Sequence, residues 1–282
     1  MIEVSFFNFD QNGRAQAGVL FEGSYYPLKG DGDIVDLADD FSNFDINLID
    51  KENKLDPDLL NFYCPVINPS KVICVGLNYE DHVKELSRES LGHPTFFSRF
   101  NHSFVAHKKI IPLVDISDKY DYEVELALII GKKAHQIAKD KALDYICGYS
   151  IFNDVTVRDY QVRTSQWFMG KNFYQTGSFG PFLVPAACLP RNADGLVMQT
   201  KVNDVILQSG NSSNMIFKPD ELVYELAQIM PLEKGDVIIT GTPGGVAVSR
   251  SPRTYINDGD TCFLSIEKLG ILENKFLKTA KK

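Results

Sequence analysis

The 282-residue chain has few cysteines and none in a Cys-x-x-Cys pair: Cys64, Cys74, Cys147, Cys188 and Cys262 are scattered and odd in number. That spacing excludes a disulfide framework and a clustered zinc site, and leaves reduced core thiols of a cytoplasmic protein as the expectation. No apolar run reaches the length of a membrane span, so no membrane partner is expected. Met1–Phe7 has neither a basic n-region nor a long apolar h-region, so no signal peptide is expected, and the glycosylation patterns at Asn101 and Asn211 carry no meaning without secretion. Positive charge is in deficit: 29 Lys and Arg stand against 37 Asp and Glu, a net charge of −8. A nucleic-acid or anionic-membrane surface is therefore disfavoured. Internal repeats and low-complexity tracts are absent. What is present is ordinary for a globular protein, with 44% hydrophobic and 23% charged residues and a length that fits one large domain or one with a small companion.

Along the chain, residues 1 to about 65 hold short strand-like pieces. Val19–Leu28 reads as a hairpin turning at Glu22-Gly23. Pro65, Asn68, Pro69 and Ser70 then punctuate the sequence, placing a boundary between a small N-terminal domain (1–68) and a larger one (69–282). Lys71–Leu77 reads as a buried strand, and Asn78–Leu86 as a helix with Asn78 as its cap and acids in the first turn. β-runs follow at Val124–Ile130, Val237–Thr240 and Cys262–Glu267. One later helix is well marked, Pro219–Met230, with Leu222, Val223, Leu226 and Ile229 on one face. Strands dominate without alternating regularly with helices, which predicts an α+β, mostly β fold.

Four constellations carry possible chemistry. In Asp121-Tyr122-Glu123-Val124-Glu125, strand alternation turns Glu123 and Glu125 to one side at the mouth of an apolar strand. Two carboxylates there force one to take a proton unless a cation lies between them. A hard divalent cation is one remedy; an exposed strand edge is the plainer alternative. Asp154, 29 residues beyond Glu125, sits far enough along for a strand, a turn and a return strand, and either completes a three-carboxylate site or caps a helix. His82 and Glu85 share a helix face at i, i+3, which suits an oriented general base or an ordinary surface pair. Lys171, among Trp167, Phe168, Met169 and Phe173, needs an anion for its ammonium. The turn Thr240-Gly241-Thr242-Pro243-Gly244-Gly245 lacks the phosphate-loop tail and offers amides and hydroxyls to a carboxylate, or is simply a tight turn.

Taken in order, the blocks Gly76-Leu77-Asn78-Tyr79-x-x-His82, Asp121–Ala127, Gly148-Tyr149 with Asn153-Asp154-Val155-Thr156-x-Arg158-Asp159-x-Gln161, Gly170-Lys171-Asn172-Phe173, Asn203 with Ser213–Phe217, and Gly235–Val246 closely resemble the fumarylacetoacetate hydrolase family. The resemblance runs from about Lys71 to Phe276. It implies the family's mixed β-sandwich roll, a small N-terminal domain and a homodimer. It also implies Mg²⁺, or Mn²⁺ or Ca²⁺, on Glu123, Glu125 and Asp154. His82 and Glu85 fall at the positions of a catalytic dyad on a lid helix and Lys171 at that of an active-site lysine. Arg158, Gln161, Gly241 and Thr242 fall at substrate-proximal positions. Many relatives have Lys-Pro where this chain has Arg99-Phe100, which leaves Arg99 without an assigned role.

The implied substrate is a 2-oxo or 2,4-dioxo acid, and the expected reaction is hydrolysis of a C–C bond in an acylpyruvate- or fumarylpyruvate-like acid through an enolate stabilised by the cation. Oxaloacetate decarboxylation and isomerisation of a 2-hydroxyhepta-2,4-diene-1,7-dioate (hydroxymuconate-type) acid use the same groups and stay open. A metal nuclease is opposed by the charge of −8, and a non-catalytic binding protein by the intact set of matching positions.

Overall fold

A computed structural model of the chain describes residues 4–37, 41, 44–87 and 92–279. The strands Ser24–Pro27, Arg14–Phe21, Val4–Gln11 and Phe62–Tyr63 form, in that order, a four-stranded sheet. The hairpin turns at Glu22 and Gly23, whose φ values of 50° and 73° are those of the primed turns that match strand twist. A second hairpin turns at Asn12-Gly13, with φ of 56° and 81°. That Asn-Gly pair is a strong turn signal which the strand pattern alone passes over.

The larger sheet runs Thr95–Ser98, Val72–Gly76, Val237–Ile239, Val124–Ile130, Ile146–Asp154, Gly177–Phe179, Phe104–Ala106, with Val184–Pro185 also paired to Ile146–Asp154. Two of its neighbour pairs are parallel and the rest antiparallel. A five-stranded sheet, Val205–Asn211, Val197–Val202, Thr261–Ile266, Gly270–Thr279 and Ile110–Val114, packs across it. The architecture is mostly β, as the strand-rich sequence predicts.

Val124–Ile130 is buried at every position, and the reason is visible on its two faces. Val124, Leu126, Leu128 and Ile130 join a core with Met198, Leu264, Ile266 and Phe276 of the five-stranded sheet. Ala127 and Ile129 join a second core with Val4, Phe6 and Val19 of the N-terminal sheet. Covered on both sides, the strand has no face left for polar residues. Phe6 and Leu183 exchange backbone hydrogen bonds of 2.9 and 2.7 Å, which ties the N-terminal sheet to the rest. Glu123 and Glu125 continue the parity of Ala127 and Ile129 beyond the end of that apolar cover.

Two local expectations change. The helix is Glu80–Glu85 and its cap residue is Tyr79, without a side-chain cap bond. Asn78 instead donates to Thr240 O and Phe217 O and accepts from Phe217 N–H. A buried crossing of two chain segments has unpaired backbone groups, and the amide of Asn78 satisfies them. In the helix Pro219–Ile229, Leu222, Val223, Leu226 and Ala227 are buried while Ile229 is 72% exposed. The apolar stripe passes through Ala227, and Ile229, the final helical residue, projects past it. No described helix is long and apolar enough to cross a membrane.

Candidate active site

The site is built where two antiparallel strands end together. Val124 pairs with Asn153, and Asp154 N–H donates to Glu123 O at 3.0 Å, so the last residue of Ile146–Asp154 lies beside the first glutamate. Asp154 is a strand terminus and caps no helix: the next elements are Thr156–Val157, a strand, and Arg158–Gln161, a helical turn that starts after Val157. Glu123, Glu125 and Asp154 are 4%, 2% and 0% exposed, which removes the exposed-edge alternative. One ligand oxygen from each can be chosen such that all lie within 4.8 Å of one another.

Each carboxylate is held from behind. Asp154 accepts from Arg99 through Oδ1, Glu123 lies 2.7 Å from Arg158 through Oε1, and Glu125 accepts Gly241 N–H at 2.6 Å through Oε2. The Arg158–Glu123 contact is ionic in distance but lies outside hydrogen-bond alignment, so that guanidinium NH2 has no aligned acceptor. Arg158 is fixed by Asp121 at 2.8 Å and Gln161 at 3.0 Å, and Asp121 by the amides of Ala247 and Val248. The second oxygens of Glu123 and Asp154 converge on Lys171 Nζ, at 2.6 and 2.5 Å. The anion that Lys171 needs is thus supplied by the protein.

The electrostatics separate the two glutamates. Burial opposes ionisation of Glu123, but Lys171 and Arg158 outweigh it and hold its carboxyl at about 2. Glu125 has one backbone amide and no cation in contact. Burial, Asp154 and Glu123 push its carboxyl well above the ordinary glutamate range. Burial alone would discharge Lys171, while Asp154, Glu123 and Glu125 raise it and keep it an ammonium. Three buried carboxylates with converging oxygens, one of them without a cation in contact, fit a hard divalent cation.

His82 is buried and Nδ1 meets Glu85 Oε1 at 2.7 Å. Glu85 also accepts Gly245 N–H at 2.9 Å and the Ser249 hydroxyl at 2.8 Å. Burial works against its charge, yet these donors hold its carboxyl below the ordinary value. An ionised Glu85 makes His82 Nδ1 the N–H donor and leaves Nε2 as the free acceptor. The glycine-rich turn therefore receives carboxylates of this chain: Glu125 at Gly241, Asp81 at Gly244 (3.1 Å) and Glu85 at Gly245. The Thr242 hydroxyl donates to Val124 O and accepts from Gln208. Gly241, at φ 93°, is also where a Cβ would come 3.0 Å from Val75 O and Asn78 Cβ, so the turn can approach this closely only as glycine.

All ten residues singled out by the sequence come together at this place. His82, Glu123, Glu125, Asp154, Arg158, Gln161, Lys171, Gly241 and Thr242 line one cavity of ≈ 830 Å³, and Glu85 stands behind His82. Sequence reasoning missed Arg99, which makes four hydrogen bonds, to Asp154, Val155 O, Ser103 and Thr176, from a fully buried position. It also missed Trp167, whose ring closes the cavity over Gly76, where a Cβ would sit 2.0 Å from it. An arginine between two phenylalanines and serine offers no local signal of its partner 55 residues away.

Comparison with known proteins agrees with this geometry. The family model described as fumarylacetoacetate (FAA) hydrolase C-terminal matches residues 71–277. The mitochondrial oxaloacetate tautomerase Fahd2a of Rattus norvegicus is 39% identical over 219 residues, covering 77% of this chain and 69% of that protein. The solved fumarylacetoacetate hydrolase of the psychrophile Exiguobacterium antarcticum superposes with a TM-score of 0.87 at 34% identity, covering 98% of this chain and all of the other. The 2-hydroxyhepta-2,4-diene-1,7-dioate isomerase of Mycobacterium marinum superposes at 0.77 and 26% identity, over 99% of this chain and all of the other.

Proposed function

The chain belongs to the fumarylacetoacetate hydrolase family, and we propose that it is a divalent-metal-dependent enzyme that moves a proton at the carbon beside the keto group of a 2-oxo acid, interconverting keto and enol forms of an oxaloacetate-type substrate. The observation that carries this reading is His82, oriented through Nδ1 by Glu85 and lining the same cavity as the three carboxylates and Lys171; with Glu85 ionised, Nε2 is the ring nitrogen left to accept a proton. The name and 39% identity of the rat relative support the substrate class.

Glu123, Glu125 and Asp154 would hold Mg²⁺ or a similar cation, which when bound supplies Lewis-acid polarisation of a keto oxygen. His82 Nε2 takes the proton from C3, and the electron pair moves to the keto oxygen. Glu85 stabilises the resulting imidazolium through Nδ1–H, and His82 then returns the proton to that oxygen. Nothing is gained or lost in the balance. Lys171, beside Glu123 and Asp154, offsets negative charge that grows on the substrate oxygen. Trp167, and His82 from the helix Glu80–Glu85, line the cavity beside these groups.

C–C hydrolysis of an acylpyruvate- or fumarylpyruvate-like acid is the second reading. It is favoured by the same His82–Glu85 pair, which can take a proton from water as readily as from carbon. The two are separated by one panel with Mg²⁺: oxaloacetate, acetylpyruvate, fumarylpyruvate and a hydroxymuconate, compared by kcat/KM. Enol–keto conversion of oxaloacetate well above the others supports the first reading; pyruvate release from acetylpyruvate as the leading activity replaces it with the second.

A further inference from the structure

The outer wall of the cavity carries positive charge that the chemistry above does not use. Arg253 and Lys119 line that wall, and among the described residues neither side chain makes a hydrogen bond or ion pair. Arg250, three residues earlier, is held by backbone carbonyls by contrast: its Nε donates to Gly245 O at 3.0 Å and its NH2 to Leu207 O. The backbone explains the difference. Thr254 Oγ1 meets the Tyr122 hydroxyl at 3.0 Å, and buried Ile256 donates its N–H to Tyr120 O at 2.9 Å. Arg253 and Tyr255 alternate along the chain with these two anchored residues, and both line the cavity. The Tyr255 hydroxyl is buried and has no hydrogen-bond partner. Asp159, the acid of this wall, is already held by the Ser117 hydroxyl at 2.7 Å.

We propose that Arg253, with Lys119 and the Tyr255 hydroxyl, forms a second anion site that binds the carboxylate at the far end of a dicarboxylic 2-oxo acid. The proposal rests on the 2-oxo acid reading, in which the keto-acid head lies on the acidic floor. In a chain of net charge −8, two cations without a partner at one cavity wall leave a vacancy for negative charge. An uncharged tail would desolvate them without pairing. A carboxylate gains the planar fork of Arg253, a point charge from Lys119 and a phenolic donor, all charge-assisted.

Trp167 makes this testable without turnover, because it is the single tryptophan of the chain and lines the cavity. The full-length protein in Mg²⁺ is titrated with 2-oxo dicarboxylates and with 2-oxo monocarboxylates of the same carbon number, reading Trp167 fluorescence. The dicarboxylates bind more tightly, and Arg253→Gln lowers that preference about tenfold while Arg253→Lys keeps most of it. Arg253 is exposed, and an unchanged melting curve verifies that the variant folds. Equal affinities for the two series in the unaltered protein, or an unchanged preference in Arg253→Gln, overturn the proposal. Failure of both series to bind overturns the 2-oxo acid reading itself.

Discussion

Replacing Arg99 with methionine tests the site from behind. Arg99 is 2% exposed; loss of its guanidinium strands Asp154 Oδ1 and takes a long 3.3 Å donor from Val155 O, whereas Ser103 Oγ still donates to Phe100 O at 2.7 Å and Thr176 Oγ1 to Phe173 O at 2.8 Å. The cost is therefore concentrated in one buried carboxylate. Breaking a buried ion pair on one side costs about 3–5 kcal/mol, and the remaining bond from Lys171 to Asp154 Oδ2 puts the expected loss near the lower figure. With a urea slope of about 3 kcal/mol/M, the upper end of the usual range for a chain this long, the midpoint falls by about 1 M. The measurement is made in chelator, so that no added cation substitutes for Arg99. Adding Asp154→Asn removes the stranded charge, so the double variant is less destabilised than the sum of the single ones, with a coupling of about 2 kcal/mol. If Arg99→Met unfolds within about 0.5 kcal/mol of the parent, or the double variant is additive, the idea that Arg99 offsets the Asp154 charge is wrong.

Two further outcomes concern pH. The folded Glu85 carboxyl lies below its ordinary value, so its stabilisation is complete above the ordinary glutamate range and is lost as pH falls through the folded value. The melting temperatures of the parent and Glu85→Gln should converge in acid and separate towards neutrality, and Glu85→Gln should lower kcat about 10²-fold with little change in metal affinity. His107, buried and next to Lys108, is held down to about 4. It contributes stability above its ordinary 6.5 that disappears as pH falls to the folded value, about 3 kcal/mol over that window. Urea titrations of His107→Gln should show a flatter stability profile between those limits, and an unchanged slope would mean that His107 is not held neutral.

The parts of the site legible in the sequence are those written in local pattern. Val124–Ile130 could be read as a buried strand because both faces are covered, and Glu123 and Glu125 then follow from alternation. The joining of Asp154 to them was a matter of chain length and was met by an antiparallel return. The split between the glutamates was only half visible: the sequence demanded that one take a proton or find a cation, but not that Lys171 and Arg158 would both serve Glu123 and leave Glu125 with an amide. Asn78 reads locally as a helix cap, but its partners, the backbone groups of Phe217 and Thr240, lie 139 and 162 residues away. Arg99, Arg253 and Tyr255 were illegible for the same reason. Their meaning is set by what faces them, and nothing adjacent in the chain announces it.

The central claim is that three carboxylates hold a cation on which enolisation of a 2-oxo acid depends. It is met most directly by following the enol–keto conversion of oxaloacetate by ultraviolet absorbance after exhaustive chelation and again after adding Mg²⁺. The account predicts conversion at the uncatalysed rate in chelator, recovery with Mg²⁺ in the parent protein, and no recovery in Glu125→Gln. Enzymatic conversion that persists in chelator, or full recovery in Glu125→Gln, would contradict it.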